Sequence, residues 1–65
     1  MKLTLDGKPA KIPAGKKAAT VAELLAALGV NAEEALVKVN GKLAPNNAKI
    51  LPKDDVKVMR VIFGG

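Results

Sequence analysis

The stretch Thr20-Val21-Ala22-Glu23-Leu24-Leu25-Ala26-Ala27-Leu28-Gly29-Val30 decides the fold. Threonine followed three residues later by glutamate has the spacing of a capping box: the threonine side chain takes a backbone amide at the third helical position, and the glutamate reaches back to the amide of the cap. A helix therefore begins at Val21. Val21, Leu24, Leu25 and Leu28 recur at helical spacing on one face, and Gly29 can take the left-handed conformation that ends a helix, with Val30 packing back over it. A helix of this length is not stable alone in water, so its leucines must pack on strands.

The strands lie on either side. Upstream, Lys2-Leu3-Thr4-Leu5 alternates polar and apolar residues and meets Asp6-Gly7, a dipeptide suited to the positive backbone angles of a two-residue hairpin turn. The return strand is expected around Lys8 to Ile12, at an edge or an irregularity because Pro9 cannot donate to a ladder. Downstream, Leu36-Val37-Lys38-Val39 runs into Asn40-Gly41, the strongest hairpin signal in the chain, and Lys42-Leu43-Ala44 returns. Pro45-Asn46-Asn47 starts a loop, Ile50-Leu51 supply an apolar anchor, and Pro52-Lys53-Asp54-Asp55 turn into a last strand from Val56 to about Phe63. Two strands, a helix, two strands and a final strand predict an α+β domain, one helix laid across one face of a mixed sheet.

Composition limits what such a chain can do. At 65 residues it holds one domain and one core, and a chain of that size buries only about 60% of the surface it exposes unfolded. It has no cysteine and no histidine, which excludes a disulfide scaffold and a zinc-held mini-domain; the core is hydrophobic, drawn from the 49% of apolar residues. Uncharged stretches are too short to span a bilayer, and Met1-Lys2 leads straight into a strand pattern, so a soluble, cytoplasmic protein is expected. The net charge of +5 favours anionic partners, yet ten of the eleven cations are lysines scattered from Lys2 to Lys57 with no aromatic residues between them for base stacking. This pattern reads as a solvated face rather than a nucleic-acid site.

In order, the Asp6-Gly7 hairpin, Thr20-Val21-Ala22-Glu23-Leu24-Leu25, Val39-Asn40-Gly41, Leu51-Pro52-Lys53-Asp54-Asp55-Val56 and Arg60-Val61-Ile62-Phe63-Gly64-Gly65 cover essentially the whole chain. Their succession resembles the β-grasp, ubiquitin-like sulfur carriers of the ThiS and MoaD groups, and the lack of a long insertion makes it more similar to ThiS. One departure is Asp54, where that family usually has glycine. The resemblance implies a mixed sheet of four or five strands over residues 1–65, and a carrier rather than an enzyme. It also implies that the carboxylate of Gly65 is adenylated by a ThiF- or MoeB-like activating enzyme. A sulfur donor, a cysteine desulfurase or rhodanese-like protein, would then displace AMP and leave a thiocarboxylate. A downstream synthase such as a thiazole synthase would receive the sulfur, in making thiamin, molybdopterin or thiolated tRNA. ATP and magnesium would belong to the partner, with no cofactor or metal held by this chain.

Chemistry gives the tail its logic. Glycine has no side chain, so Gly64 and Gly65 form a thin, adaptable end that can enter a narrow channel and bring a carboxylate to ATP. The final strand adds a second feature. Alternation places Val56 and Val58 on one face and Met59, Val61 and Phe63 on the other, so the strand is apolar on both faces toward its end. Either Met59, Val61 and Phe63, with Arg60 beside them, form a docking surface for the activating enzyme, or a bulge after Val58 returns Ile62 and one of these residues to the core. Three classes of function stay open: a sulfur carrier, a ubiquitin-like modifier joined through Gly65 to lysines of target proteins, and a small basic module binding RNA or protein.

Overall fold

The computed structural model describes residues 1–61 of the 65. Its elements are β1 (Lys2–Leu5), β2 (Lys8–Pro9), α1 (Val21–Leu28), a 3-10 turn (Ala32–Glu34), β3 (Ala35–Val39), β4 (Lys42–Leu43) and β5 (Asp55–Arg60). The five strands form one sheet in the order β2-β1-β5-β3-β4. β1 and β5 run parallel at its centre, and the other neighbouring pairs are antiparallel. This is the α+β, β-grasp arrangement expected, with the last described strand in the middle of the sheet.

Helix α1 starts as its sequence requires. The Thr20 hydroxyl accepts from the Glu23 amide at 3.2 Å, and Glu23 Oε1 accepts from the Thr20 amide at 3.1 Å and the Ala19 amide at 3.0 Å. The other free amides of the first turn go to the loop before β5: Val21 donates to the Ala48 carbonyl and Ala22 to that of Asn46. At the far end Gly29 is left-handed at φ 72°, its amide donating to Ala26, while Val30 donates back to Leu25. These two bonds make a Schellman closure, a conformation glycine adopts without steric cost.

Val21, Leu24 and Leu25 from the helix meet Leu3, Val37, Val56 and Val58 from the sheet and Ile50 from the loop, all buried. Leu28 and Val30 pack at the edge of this cluster. Both hairpin turns have the predicted chemistry, with positive φ at Asp6 and Gly7 and at Asn40 and Gly41.

The structure trims several sequence expectations. β2 ends at Pro9 rather than near Ile12: Pro9 pairs with Thr4 at an edge position where no amide is needed toward β1, the Ala10 amide makes one more bond, to Leu3, and Ile12 packs on the core edge without pairing. β4 stops at Leu43, although Ala44 still donates to Val37, and Pro45 ends the run. β3 begins one residue early, at Ala35, behind a 3-10 turn capped by Asn31, whose side chain accepts from the Glu33 amide at 2.9 Å. Of the Ile50-Leu51 pair only Ile50 anchors the loop; Leu51 is exposed. β5 runs to Arg60, and the rest of the stretch to Phe63 passes through Val61 and then lies outside the described residues.

Candidate functional site: the root of the tail

The end of β5 is held from both sides. On the β1 side the Asp6 amide donates to the Val58 carbonyl at 2.8 Å, and the Asp6 carboxylate accepts from the Arg60 amide at 2.9 Å and from Arg60 Nε at 2.7 Å. A second guanidinium nitrogen lies 2.6 Å from the same oxygen, Oδ2, so Oδ1 holds the Arg60 main chain and Oδ2 its side chain. On the β3 side the Val61 amide donates to the Glu34 carbonyl at 2.7 Å. Beyond this point the sequence continues as Ile62-Phe63-Gly64-Gly65.

Asp6 can serve here because of its own backbone. The first hairpin turn places it in the left-handed region at φ 52°, which a short polar side chain tolerates, beside the end of the strand that pairs with β5. Hydrogen bonds from the Arg60 amide, then from its guanidinium, hold the Asp6 carboxyl below its ordinary range. Asp6, Arg60 and Val61, together with Gly29, Val30, Asn31 and Glu34 at the foot of the helix, line an open groove of about 680 Å³. The tail root therefore emerges beside the helix C-terminus.

Met59 lies on the other face of the sheet. Its strand pairs with β3 without interruption from Val56 to Arg60, so no bulge follows Val58 within the described strand. Met59 stands directly opposite Leu36, and Lys57 opposite Lys38, which in turn faces Leu43 across β4. Leu36, Leu43 and Met59 are 49%, 66% and 36% exposed, so the face away from the helix carries an uncovered apolar group with Lys38 and Lys57 beside it.

Of the candidate site residues, the structure thus separates two sets. Met59 belongs to the outer sheet face. Arg60 has the parity of Val56 and Val58 and is tied to Asp6, while Val61 sits half-buried at the groove. Phe63, Gly64 and Gly65 lie outside the described residues. Sequence reading missed Leu36 and Leu43 as members of the outer face, although Leu36-Val37 is an adjacent apolar pair in a strand, and one of the two must face outward. It also missed Asp6, which reads as a turn residue until the fold brings it to Arg60.

Among the described residues no group of three or more acidic residues is placed to hold a metal ion, and no helix is long and apolar enough to cross a membrane. The sequence model of the family described as small archaeal modifier protein 2 matches residues 2–62. The chain is also similar to the thiamine biosynthesis protein ThiS from Geobacter metallireducens. Its crystal structure matches at 33% identity with a TM-score of 0.64, covering 100% of both chains. The solution structure of a thiamine biosynthesis protein from the same organism matches at 33% identity with a TM-score of 0.55, covering 100% of this chain and 86% of that one.

Proposed function

Because the chain belongs to the small archaeal modifier protein 2 family of ubiquitin-like β-grasp proteins, we propose that it is a carrier activated at the carboxylate of Gly65. The observation that carries this reading is the position of β5. A strand paired on both sides and fastened at its end gives Ile62-Phe63-Gly64-Gly65 a fixed point of departure. In the proposed reaction a Gly65 carboxylate oxygen attacks the α-phosphorus of ATP held with magnesium by a ThiF- or MoeB-like enzyme, and pyrophosphate leaves. The persulfide of a sulfur donor such as a cysteine desulfurase or rhodanese-like protein then displaces AMP, a thiol cleaves the resulting acyl disulfide to free the thiocarboxylate as a new disulfide forms, and the thiocarboxylate passes its sulfur to a synthase such as a thiazole synthase. The chain supplies the carboxyl and its placement; the partner supplies the catalytic groups.

The outer sheet face is the proposed dock for the activating enzyme. Leu36, Leu43 and Met59 offer apolar contact, and two lysines placed directly opposite one another, Lys38 and Lys57, repel in the free protein and gain from carboxylates on a partner. The family match specifically favours a second reading, in which the activated Gly65 is joined to lysines of other proteins. Both readings share the adenylation step.

Mass spectrometry of the protein from its native cells tests the proposal. A terminal mass gain of one sulfur-for-oxygen exchange supports the carrier, and Gly-Gly remnants on lysines of other proteins support the modifier. Neither, together with RNA binding that weakens steeply with salt, would replace both with a binding module.

A further inference from the structure

We propose that Asp6 is a positioning residue for the tail: through Arg60 it sets the point and direction at which the chain leaves the sheet. The inference rests on the reading of Gly65 as the activated group. The Asp6 carboxylate holds both the backbone amide and the guanidinium of Arg60, so it fixes the last strand residue along its main chain and its side chain together. The bond from the Val61 amide to the Glu34 carbonyl closes the other side one residue later. Arg60 and Val61, the last described residues, are thus hydrogen-bonded to neighbours on both sides, and the chain toward Gly65 starts from this held point. A carboxylate that must meet a phosphorus atom in line is sensitive to such placement; a misplacement of about 1 Å can cost on the order of a hundredfold in rate.

The turn that carries Asp6 makes the arrangement economical. Asp6-Gly7 needs positive φ at both residues, and asparagine or glycine would serve the turn equally well. Only aspartate adds a charged acceptor with one oxygen for the Arg60 amide and the other for its guanidinium. Because Asp6 lies on the opposite side of the sheet from the Leu36, Leu43 and Met59 face, its effect is separable from docking.

The test compares the full-length chain with Asp6→Asn, which keeps the turn and one acceptor, and Asp6→Gly, which keeps the turn and neither. Two readouts are taken: hydrogen exchange at the Val61 amide, which Asp6 does not touch, and turnover by an activating enzyme measured as ATP–pyrophosphate exchange. We expect Val61 exchange to rise, and kcat to fall by about tenfold in Asp6→Gly and by less in Asp6→Asn, with KM within about twofold because the docking face is intact. Unchanged Val61 exchange in Asp6→Gly would overturn the proposal, and so would faster exchange with kcat unchanged. A wild-type chain that no such enzyme adenylates brings down the functional reading before any variant is compared; the exchange result still decides whether Asp6 governs the root.

Discussion

Asn40 and Asp54, fourteen residues apart, hold the middle hairpin to the start of β5: the Asn40 side-chain amide donates to Asp54 Oδ1 at 3.0 Å. Asp54 Oδ2 accepts from the Leu51 amide at 2.8 Å, and Asn40 Oδ1 accepts from the Asp55 amide at 2.9 Å. Asp54 stands where glycine is usual in the ThiS and MoaD groups, and here it is buried and doubly bonded. The carboxylate thus gives the turn a side-chain closure in place of glycine's conformational freedom.

Acid should loosen this closure. The Leu51 amide first, and then the Asn40 side chain, hold the Asp54 carboxyl below its ordinary value of 3.8, as Arg60 does for Asp6. Between the folded and unfolded values the unfolded chain binds more protons, so stability rises with pH in that window. The contribution is complete above the unfolded value and is lost as pH falls below 3.8 through the folded ones. Denaturant midpoints from neutral pH down to acid should therefore fall most steeply below that value. Asp54→Asn should flatten the slope and lower the neutral melting midpoint by roughly 5 °C. A variant with the wild-type acid slope would remove Asp54 as its source.

The capping box at Thr20 and Glu23 should behave as one unit. Thr20→Ala leaves the Glu23 amide without its acceptor, and Glu23→Ala frees the amides of Ala19 and Thr20. Each should cost about 1 kcal/mol. Since the two share one network, the double variant should cost less than the sum of the singles, by about 0.5 kcal/mol or more in urea unfolding. Strict additivity would mean that the two halves of the box act independently.

What the sequence disclosed follows the range of the interactions. The helix was legible from Thr20 to Val30 because cap, stripe and closing glycine are all local, and both hairpin turns because Asp6-Gly7 and Asn40-Gly41 fix their own backbone angles. Strand ends were less legible: β2 stops after Pro9 although Ala10 still bonds to Leu3, and Leu51 turns outward where Asp54 holds its amide in the tight turn that follows. The outer parity of Met59 could be read from alternation, but its neighbours Leu36 and Leu43 needed the register between strands. The Asp6–Arg60 contact joins residues 54 positions apart, and no local pattern announces it.

The outer face should matter for recognition more than for stability. Met59 and Leu36 are exposed, so replacing either with aspartate removes little buried surface, and the melting midpoint should move by only a few degrees, about what surface changes cause. If an activating enzyme docks there, Met59→Asp should raise its KM by about tenfold or more with kcat less affected. Charge reversal at Lys57 should lower the on-rate and weaken its salt dependence. A Met59→Asp chain that folds and is adenylated with wild-type KM would place the dock elsewhere.

Removal of Gly65 separates the reactive end from the fold. Among the described residues no member of the buried cluster lies beyond Val58, and the tail root is fastened by hydrogen bonds at Arg60 and Val61. The shortened chain should therefore unfold at the same denaturant concentration as the full one. Its new terminal carboxylate, on Gly64, would fall short of the α-phosphorus by one residue, a length of about 3.5 Å in an extended chain. A displacement of that size exceeds what aligned attack tolerates, so ATP–pyrophosphate exchange should drop by more than about a hundredfold. Adding back one glycine restores it, whereas an alanine at position 65 tests whether the channel excludes even a methyl group. A shortened chain adenylated at the full rate would show that reach through Gly65 is not what the activating enzyme requires.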